Sequence, residues 1–298
     1  MSISHTVQRA QGRWFLLVRD HDYSQAAASI DRYEIENQDW PPPRPRERPR
    51  HPASAVAPIV FMALAAFFMI TGPSSDGSRW LQRGVAVADL VVSSQPWRAV
   101  TALTLHADGS HVLGNVISGS IFASAVHRRL GPGGGSLAIL ASGIMGNIAN
   151  AFWHSALGNG AHSSIGASTA VFGAIGLLAA TQVVIDRPQI AGARRGWIEI
   201  GSPLVGGLAL LGALGASPRA DLGAHFFGFL SGALIGLFAL GPARLFRRPV
   251  PANAAPASVH FAGSPRRPWV QPLLGAIAAG VLLGAWQLAM PLRLFNAR

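Results

Sequence analysis

The chain contains no cysteine and no lysine, and acidic residues are scarce after its first fifty positions. Without cysteine, disulfides, thiolate metal sites and a cysteine nucleophile are excluded. All 24 basic residues are arginine, and seven of the 13 acidic residues precede residue 50. Only 12% of the residues are charged and 50% are hydrophobic, whereas soluble domains carry about 25% charged residues. After about residue 53, the composition is therefore that of a membrane protein.

The formal net charge of +11 raises the alternative of nucleic-acid binding. The arginines, however, lie in short clusters between apolar runs, so we expect no nucleic-acid partner and attribute the clusters to membrane orientation. Residues 1 to 50 are polar and lack an apolar run of signal-peptide type, so we expect no cleavable signal there.

The first fifty residues predict a small cytosolic element followed by a linker. The run RWFLLVRD at 13–20 predicts a strand, and Ser24 is a candidate cap for a helix through QAAASIDRYEIENQ. The following WPPPRPRERPRHP is rich in proline and arginine, which favours an extended linker.

Seven apolar segments follow, each close to the roughly 20 residues that cross a bilayer. We therefore predict an all-α, polytopic membrane protein with a six-helix core at 51–245, then a connector and a seventh helix at 246–298. The predicted segments are 53–72, 111–130, 136–156, 166–185, 198–217, 221–243 and 269–291.

The distribution of arginine predicts the topology, because positively charged loops are retained in the cytoplasm. With a cytoplasmic N-terminus, six arginines fall outside: Arg79, Arg83, Arg98, Arg219, Arg293 and Arg298. Fourteen fall inside: Arg44, Arg46, Arg48, Arg50, Arg128, Arg129, Arg187, Arg194, Arg195, Arg244, Arg247, Arg248, Arg266 and Arg267. We therefore expect a multi-pass protein of a bacterial plasma membrane, with its C-terminus outside.

Four polar residues fall at one depth in this topology, near the outer ends of three helices. His111 and Asn115 open the second segment, Ser168 the fourth and His225 the sixth. Such residues are costly in a membrane and usually face a bundle interior or a water-filled cavity. Enzymes that catalyse acyl transfer use a serine activated by histidine, together with hydrogen-bond donors that stabilise an oxyanion. The i, i+4 spacing puts His111 and Asn115 on one helix face.

Three stretches between residues 96 and 236 resemble the rhomboid intramembrane serine proteases. PWRAVTALTLHADGSHVLGN is similar to that family's Trp-Arg loop and His-x-x-x-Asn helix, and GASTAVFG to its Gly-x-Ser-Gly motif. AHFFGFLSGALIG is similar to its Ala-His-x-x-Gly-x-x-x-Gly helix.

The resemblance implies a six-helix rhomboid core, Ser168 as nucleophile and His225 as its general base. It implies His111 and Asn115 as the oxyanion hole. It further implies supporting roles for a turn glycine, two loop residues, an aromatic below the histidine and a glycine ridge: Gly166, Trp97, Arg98, Phe172, Gly228, Gly232 and Gly236. The implied activity is cleavage of the transmembrane segments of single-pass proteins within the lipid bilayer, without a cofactor or metal.

One residue departs from the family pattern, which has glycine where this chain has Thr169. A β-branched residue is bulkier and stiffer, so an inactive rhomboid-fold protein that binds transmembrane helices is the alternative. Asp221, one turn before His225, raises a further alternative of a triad, although its place at a helix end favours a solvated carboxylate. A haem or metal protein is disfavoured because no HExxH or paired-histidine helix is present. Small-solute transport is disfavoured because no inverted repeat or charged midplane residue is found.

Overall fold

The structure, a computed structural model, describes residues 3–10, 12–38, 51–185, 205–206, 209, 221–240 and 268–291. The chain forms two compact units, Met1–Arg48 and Pro49–Arg298.

The N-terminal unit is a β-hairpin followed by a helix. Strands β1 (His5–Ala10) and β2 (Arg13–Val18) pair antiparallel, and helix α1 spans Tyr23–Glu36. Strand β2 lies within the predicted 13–20. The capping prediction for Ser24 is wrong, because the 3-10 turn Asp20–Asp22 runs directly into the helix. The residue before α1 is therefore Asp22, whose backbone is already helical and whose side chain makes no capping bond.

The larger unit is built from long helices joined by short elements. Along the chain they are α2 (Val56–Thr71), α3 (Arg79–Gly84), β3 (Ala86–Val87), α4 (Ala88–Ser93), α5 (Arg98–Thr101), α6 (Gly109–Leu130), α7 (Pro132–Ala156), β4 (Ser163–Ser164), α8 (Ser168–Ile185), α9 (Leu222–Leu240) and α10 (Val270–Ala289).

Six of the seven predicted apolar segments coincide with α2, α6, α7, α8, α9 and α10. The remaining one, 198–217, lies outside the described residues except at 205–206 and 209. Three described stretches are long and apolar enough to cross a membrane: Val56–Asp76, Pro132–Ala156 and Val270–Ala289. Ser168–Gln182 and Leu222–Phe238 are shorter apolar helices. A mainly α-helical membrane protein is thus confirmed.

Helices α8 and α9 pack with their backbones in contact because glycines line both surfaces. A Cβ on Gly232 would collide with the carbonyl of Gly173, and one on Gly228 with the carbonyl of Thr169. A Cβ on Gly176 would in turn collide with the carbonyl of Phe229. Small residues are what allow such close approach in membranes, where no hydrophobic force drives helices together.

The segment between α2 and α6 is folded back and held by hydrogen bonds to carbonyl groups. Arg98 is buried and donates to Val85 O at 2.7 Å and Gln82 O at 2.9 Å. Asn147 of α7 donates to Ala99 O at 2.9 Å. Strand β3 also pairs with β4, so this segment is joined to the residues just before α8.

The seventh predicted span, α10, is bonded to the six-helix core near both of its ends. Gln271 Oε1 accepts the backbone N–H groups of Gly133 and Gly134 at 2.8 and 2.9 Å, which satisfies free donors at the start of α7. Near the other end, Trp286 packs edge-on against Trp80, with ring centroids 5.1 Å apart.

Candidate active site

Ser168 is the first residue of α8, and a glycine turn delivers the chain to it. Gly166 has φ +122°, a conformation that side chains rarely adopt, and its N–H donates to Ala102 O at 2.9 Å. This bond fixes the turn against the 3-10 turn Ala102–Thr104. The first amides of α8 and the positive end of its dipole therefore lie beside a half-buried hydroxyl.

Ser168 and His225 are in direct contact. Ser168 Oγ lies 2.8 Å from His225 Nε2, although 57 positions separate the two residues along the chain. The glycine contacts between α8 and α9 bring the two helices close enough for this bond. The ring of Phe172 lies 4.5 Å from the imidazole of His225, centroid to centroid, with 32° between the planes. His225 is thereby bonded to the serine and supported by an aromatic face.

The carboxylate of Asp221 does not belong to this pair. Its oxygens accept from Asn150 Nδ2 at 2.9 Å, from Ala224 N at 3.0 Å and from the hydroxyl of Ser164. His225 Nδ1 has no hydrogen-bond partner among the described residues. The carboxylate of Asp221 therefore makes no hydrogen bond to the His225 ring, and the triad alternative with Asp221 is not supported.

His111 is held at the start of α6 so that one ring nitrogen faces the serine. Asp108 caps the helix by accepting the His111 backbone N–H at 2.8 Å. Bonds from the Ser110 side chain and from His111 lower the pKa of Asp108. The backbone N–H of Ala107 donates to His111 Nδ1 at 3.3 Å. Because Nδ1 accepts, the neutral ring carries its proton on Nε2, where it is available to a ligand.

The imidazole of His111 and the hydroxyl of Ser168 both lie close to Gly166. A Cβ built on Gly166 would lie 2.7 Å from His111 Nε2 and 3.4 Å from Ser168 Oγ. Any side chain at this position would therefore collide with the imidazole. Glycine is thus what allows the His111 ring to lie beside the serine.

Asn115 lies one turn further along α6, on the same face as His111, and is buried. Its Nδ2 donates to the carbonyl of His111 at 2.9 Å. An amide group carries two N–H donors, so this bond leaves the second donor for a ligand.

Thr169 packs between two other helices. A Cβ built on Gly146 of α7 would lie 2.8 Å from Thr169 Cγ2, and one built on Gly228 of α9 would lie 3.0 Å from it. Both positions are glycine, and the threonine side chain occupies the volume that they leave. The extra bulk relative to glycine is thus absorbed at the α7–α9 contact.

The loop residues Trp97 and Arg98 belong to the folded segment between α2 and α6. Trp97 directly precedes α5, and Arg98, its first residue, donates to the carbonyls of Gln82 in α3 and Val85 just before β3. Burial, followed by the nearby Arg83, lowers the pKa of Arg98. Neither side chain bonds to Ser168 or His225 in the described part of the chain.

One further histidine is buried next to the site. His106, in the loop before α6, is fully buried. Its ring lies 5.3 Å from that of His111 and edge-on to it. Neither ring nitrogen has a partner among the described residues. Burial, and then the neighbouring His111, lower the pKa of His106 to about 4. The polar stretch HADGSH, in which His106 lies, is typical of an exposed loop and gives no sign of this burial.

Comparison with known proteins identifies the family of this chain. The family model described as the rhomboid domain matches residues 93–242. "RHOMBOID-like protein 5" of Arabidopsis thaliana is 26% identical over 70% of this chain and 75% of its own length. "Putative rhomboid protease YdcA" of Bacillus subtilis is 30% identical over 49% of this chain and 68% of its own length.

"Rhomboid protease GluP" of Bacillus subtilis is 30% identical over 40% of this chain, a match that spans 23% of that protein. Two of these relatives carry names of proteases, which supports a membrane-embedded peptidase at the level of the family. The apolar helices make this chain an integral membrane protein. With its matched domain spanning half of the sequence, the chain belongs to the rhomboid family.

Proposed function

We propose that the chain is an intramembrane serine endopeptidase in which Ser168 is the nucleophile and His225 the general base. The observation that carries the proposal is the 2.8 Å bond between Ser168 Oγ and His225 Nε2. Both residues stand in the first turns of their helices, α8 and α9.

The first half of the reaction uses this bond. His225 Nε2 takes the proton of Ser168 while Oγ attacks the scissile carbonyl, which forms a tetrahedral oxyanion. His111 Nε2–H, the free N–H of Asn115 and the first amides of α8 are the donors that stabilise this charge. His225 then gives its proton to the leaving amine, which leaves an acyl group on Ser168.

The second half repeats these steps with water. His225 takes a proton from water, the resulting hydroxide attacks the acyl carbonyl, and Ser168 leaves with the proton returned by His225. No carboxylate bonds to His225 Nδ1 among the described residues. We infer that the contact with Phe172 replaces the carboxylate in orienting the ring.

The substrates that we propose are single-pass membrane proteins cut within their transmembrane segments. The site lies among apolar helices, so a bilayer-embedded chain reaches it more readily than a soluble peptide does. We further propose the topology with cytoplasmic N-terminus and outer C-terminus in a bacterial plasma membrane. The proposed organisation remains 1–50, 51–245 and 246–298.

Cleavage of a model transmembrane substrate by the purified full-length protein tests the activity. The wild type and Ser118→Ala, which changes an α6 serine bonded to its own helix, are expected to cleave. Ser168→Ala and His225→Ala are expected to lose cleavage by at least about a thousandfold, because dyad residues act as a unit. Equal cleavage by Ser168→Ala and the wild type would refute the proposal.

The alternative, an inactive rhomboid-fold protein that binds transmembrane helices, rests on Thr169. The packing of Thr169 against Gly146 and Gly228 weakens it, because the side chain is accommodated between α7 and α9. Substrate that binds to the wild type yet is never cut would favour this alternative.

The absence of cysteine gives a direct test of the topology. Single substitutions Ser29→Cys in α1 and Ser93→Cys in α4 introduce one thiol each. In intact cells, a membrane-impermeant maleimide is expected to label Ser93→Cys only. Labelling of Ser29→Cys alone would invert the proposed topology.

A further inference from the structure

A second cluster of chemistry-bearing side chains lies at the same end of the helices as the dyad. It consists of His154 at the end of α7, His162 just before β4, and Asp221 just before α9. One ligand atom from each of the three lies within 4.8 Å of the others. The proposed peptidase mechanism uses none of them.

We propose that these three side chains form a Zn²⁺ site. Two imidazoles and one carboxylate are a donor set that Zn²⁺ accepts, with a fourth position open to water. The side chains of His162 and Asp221 are 25% and 18% exposed, so an ion can enter from solvent.

Two of the three ligands, His162 and Asp221, already stand close to the required geometry. His162 Nε2 lies 2.8 Å from Asp221 Oδ2, and a tetrahedral Zn²⁺ with bonds of about 2.0 Å places its ligand atoms roughly 3.3 Å apart. Zn²⁺ therefore replaces the proton shared by these two atoms after a small separation. That proton moves to Nδ1, and His162 stays neutral, as a metal ligand must be.

His154 supplies the third ligand by rotating its side chain. Its ring is stacked on that of His162, with centroids 3.5 Å apart and 11° between the planes. In a parallel stack the nitrogen lone pairs do not converge, so the ring must turn out of the stack. Among the described residues, the rotation gives up this stack and one long contact from Asn159 Nδ2 to Nδ1, at 3.4 Å.

Hydrogen bonds hold the backbone of His162 and the carboxylate of Asp221 in place. His162 N donates to Asn159 O at 3.1 Å, and His162 O accepts from Ala88 N at 2.9 Å. Asn150 Nδ2 donates to Asp221 Oδ2 at 2.9 Å, and the Ser164 hydroxyl also bonds to this oxygen. Such donors to a ligating carboxylate orient it for the metal.

The position of the site indicates what the metal does. Asp221 precedes His225 by one helical turn, and β4 immediately precedes the turn that leads to Ser168. Zn²⁺ therefore connects the end of α7 to the flanks of both dyad residues. We expect it to act as a structural staple, since a ligand that binds only the folded state stabilises that state.

Zinc binding to the full-length protein in detergent, with any affinity tag removed, tests the proposal. After treatment with chelator, a chromophoric zinc indicator is expected to report one tight Zn²⁺ per chain. Saturating Zn²⁺ is expected to raise Tm by at least about 5 °C, and Mg²⁺ is expected to leave Tm unchanged. This measurement does not depend on peptidase activity, so the zinc proposal is tested independently of the proposed function.

Two variants separate a metal site from a simple His–Asp pair. His154→Gln keeps the bond between His162 and Asp221 but removes one ligand, so the zinc-dependent rise in Tm is expected to disappear. His21→Ala removes a histidine that lies 3.5 Å from Asp22 with no third ligand, and it is expected to bind Zn²⁺ as the wild type does. No tight Zn²⁺ on the wild type, or unchanged binding by His154→Gln, would overturn the proposal.

Discussion

The indole Nε1 of Trp286 donates a hydrogen bond of 3.1 Å to Thr104 Oγ1. Thr104 ends the 3-10 turn whose first residue, Ala102, accepts the N–H of Gly166. Helix α10 is therefore connected through one short turn to the glycine that shapes the candidate active site. The seventh predicted span is thus part of the scaffold of the site.

Trp286→Phe is expected to lower the free energy of unfolding by about 1 kcal/mol, because it removes this hydrogen bond and keeps an aromatic ring. Thermal unfolding in detergent measures the change. Leu283→Ala, at a position that is 71% exposed on the same helix, is the control and is expected to change Tm less. Equal losses would mean that the bond contributes nothing specific.

Gly232→Ala is expected to lower stability by about 1–3 kcal/mol, because the new methyl group meets the backbone of Gly173. Separation of α8 from α9 also lengthens the Ser168–His225 contact, so cleavage falls as well. Gly280→Ala in α10 is the matched control, since nothing lies within 4 Å of its Cβ position. Alanine there is expected to be neutral or to stabilise by about 0.5–1 kcal/mol. A neutral Gly232→Ala would contradict the close packing.

The long apolar segments predict the membrane helices, and the three motifs predict the family. Both can be read directly from the order of residues along the chain. The contact between Ser168 and His225 agrees with the equal depth that the sequence predicts for these two residues. The bonds of Arg98 to Val85 and Gln82 do not follow, because they depend on how an irregular loop folds back.

The cluster of His154, His162 and Asp221 also cannot be predicted from the sequence. These residues lie on three separate elements, and no sequence spacing brings them together. The burial of His106 does not follow from the sequence either, because it depends on how the loop before α6 folds. Ser24 fails as a cap because a preceding 3-10 turn changes where α1 begins.

Thr169→Gly is expected to destabilise the protein by roughly 1–2 kcal/mol, because it removes a buried side chain and adds a helical glycine. Since the threonine methyl packs toward Gly146 and Gly228, the rate at which a fluorophosphonate labels Ser168 is expected to change less than about threefold. Thr169→Ser, which removes the methyl group alone, is the companion variant. A sharp rise in labelling for Thr169→Gly would show that threonine obstructs the pocket.

The buried His106 makes stability depend on pH. Its pKa is lowered to about 4 in the folded protein, against about 6.5 in an unfolded chain. As the pH falls from about 6.5 to about 4, the unfolded state binds a proton that the folded state does not, so stability decreases through this window. The loss is roughly 2 kcal/mol at pH 5.

His106→Leu is expected to reduce this dependence, because it removes one titrating group at a site without side-chain hydrogen bonds in the described structure. Unfolding measured at pH 7.5 and pH 5 for both proteins gives the comparison. His21→Ala, at an exposed position, is expected to keep the slope of the wild type. An identical slope in His106→Leu would contradict the assignment.

The most direct test of the central claim is the site at which a fluorophosphonate probe attaches, determined by mass spectrometry of the purified protein. Phosphonylation forms a bond to an activated serine oxygen with loss of fluoride, so it reports the nucleophile without any knowledge of the substrate. We expect one adduct on Ser168 in the wild type and none in His225→Ala. An adduct on another serine, or equal labelling of Ser168 in His225→Ala, would contradict the dyad.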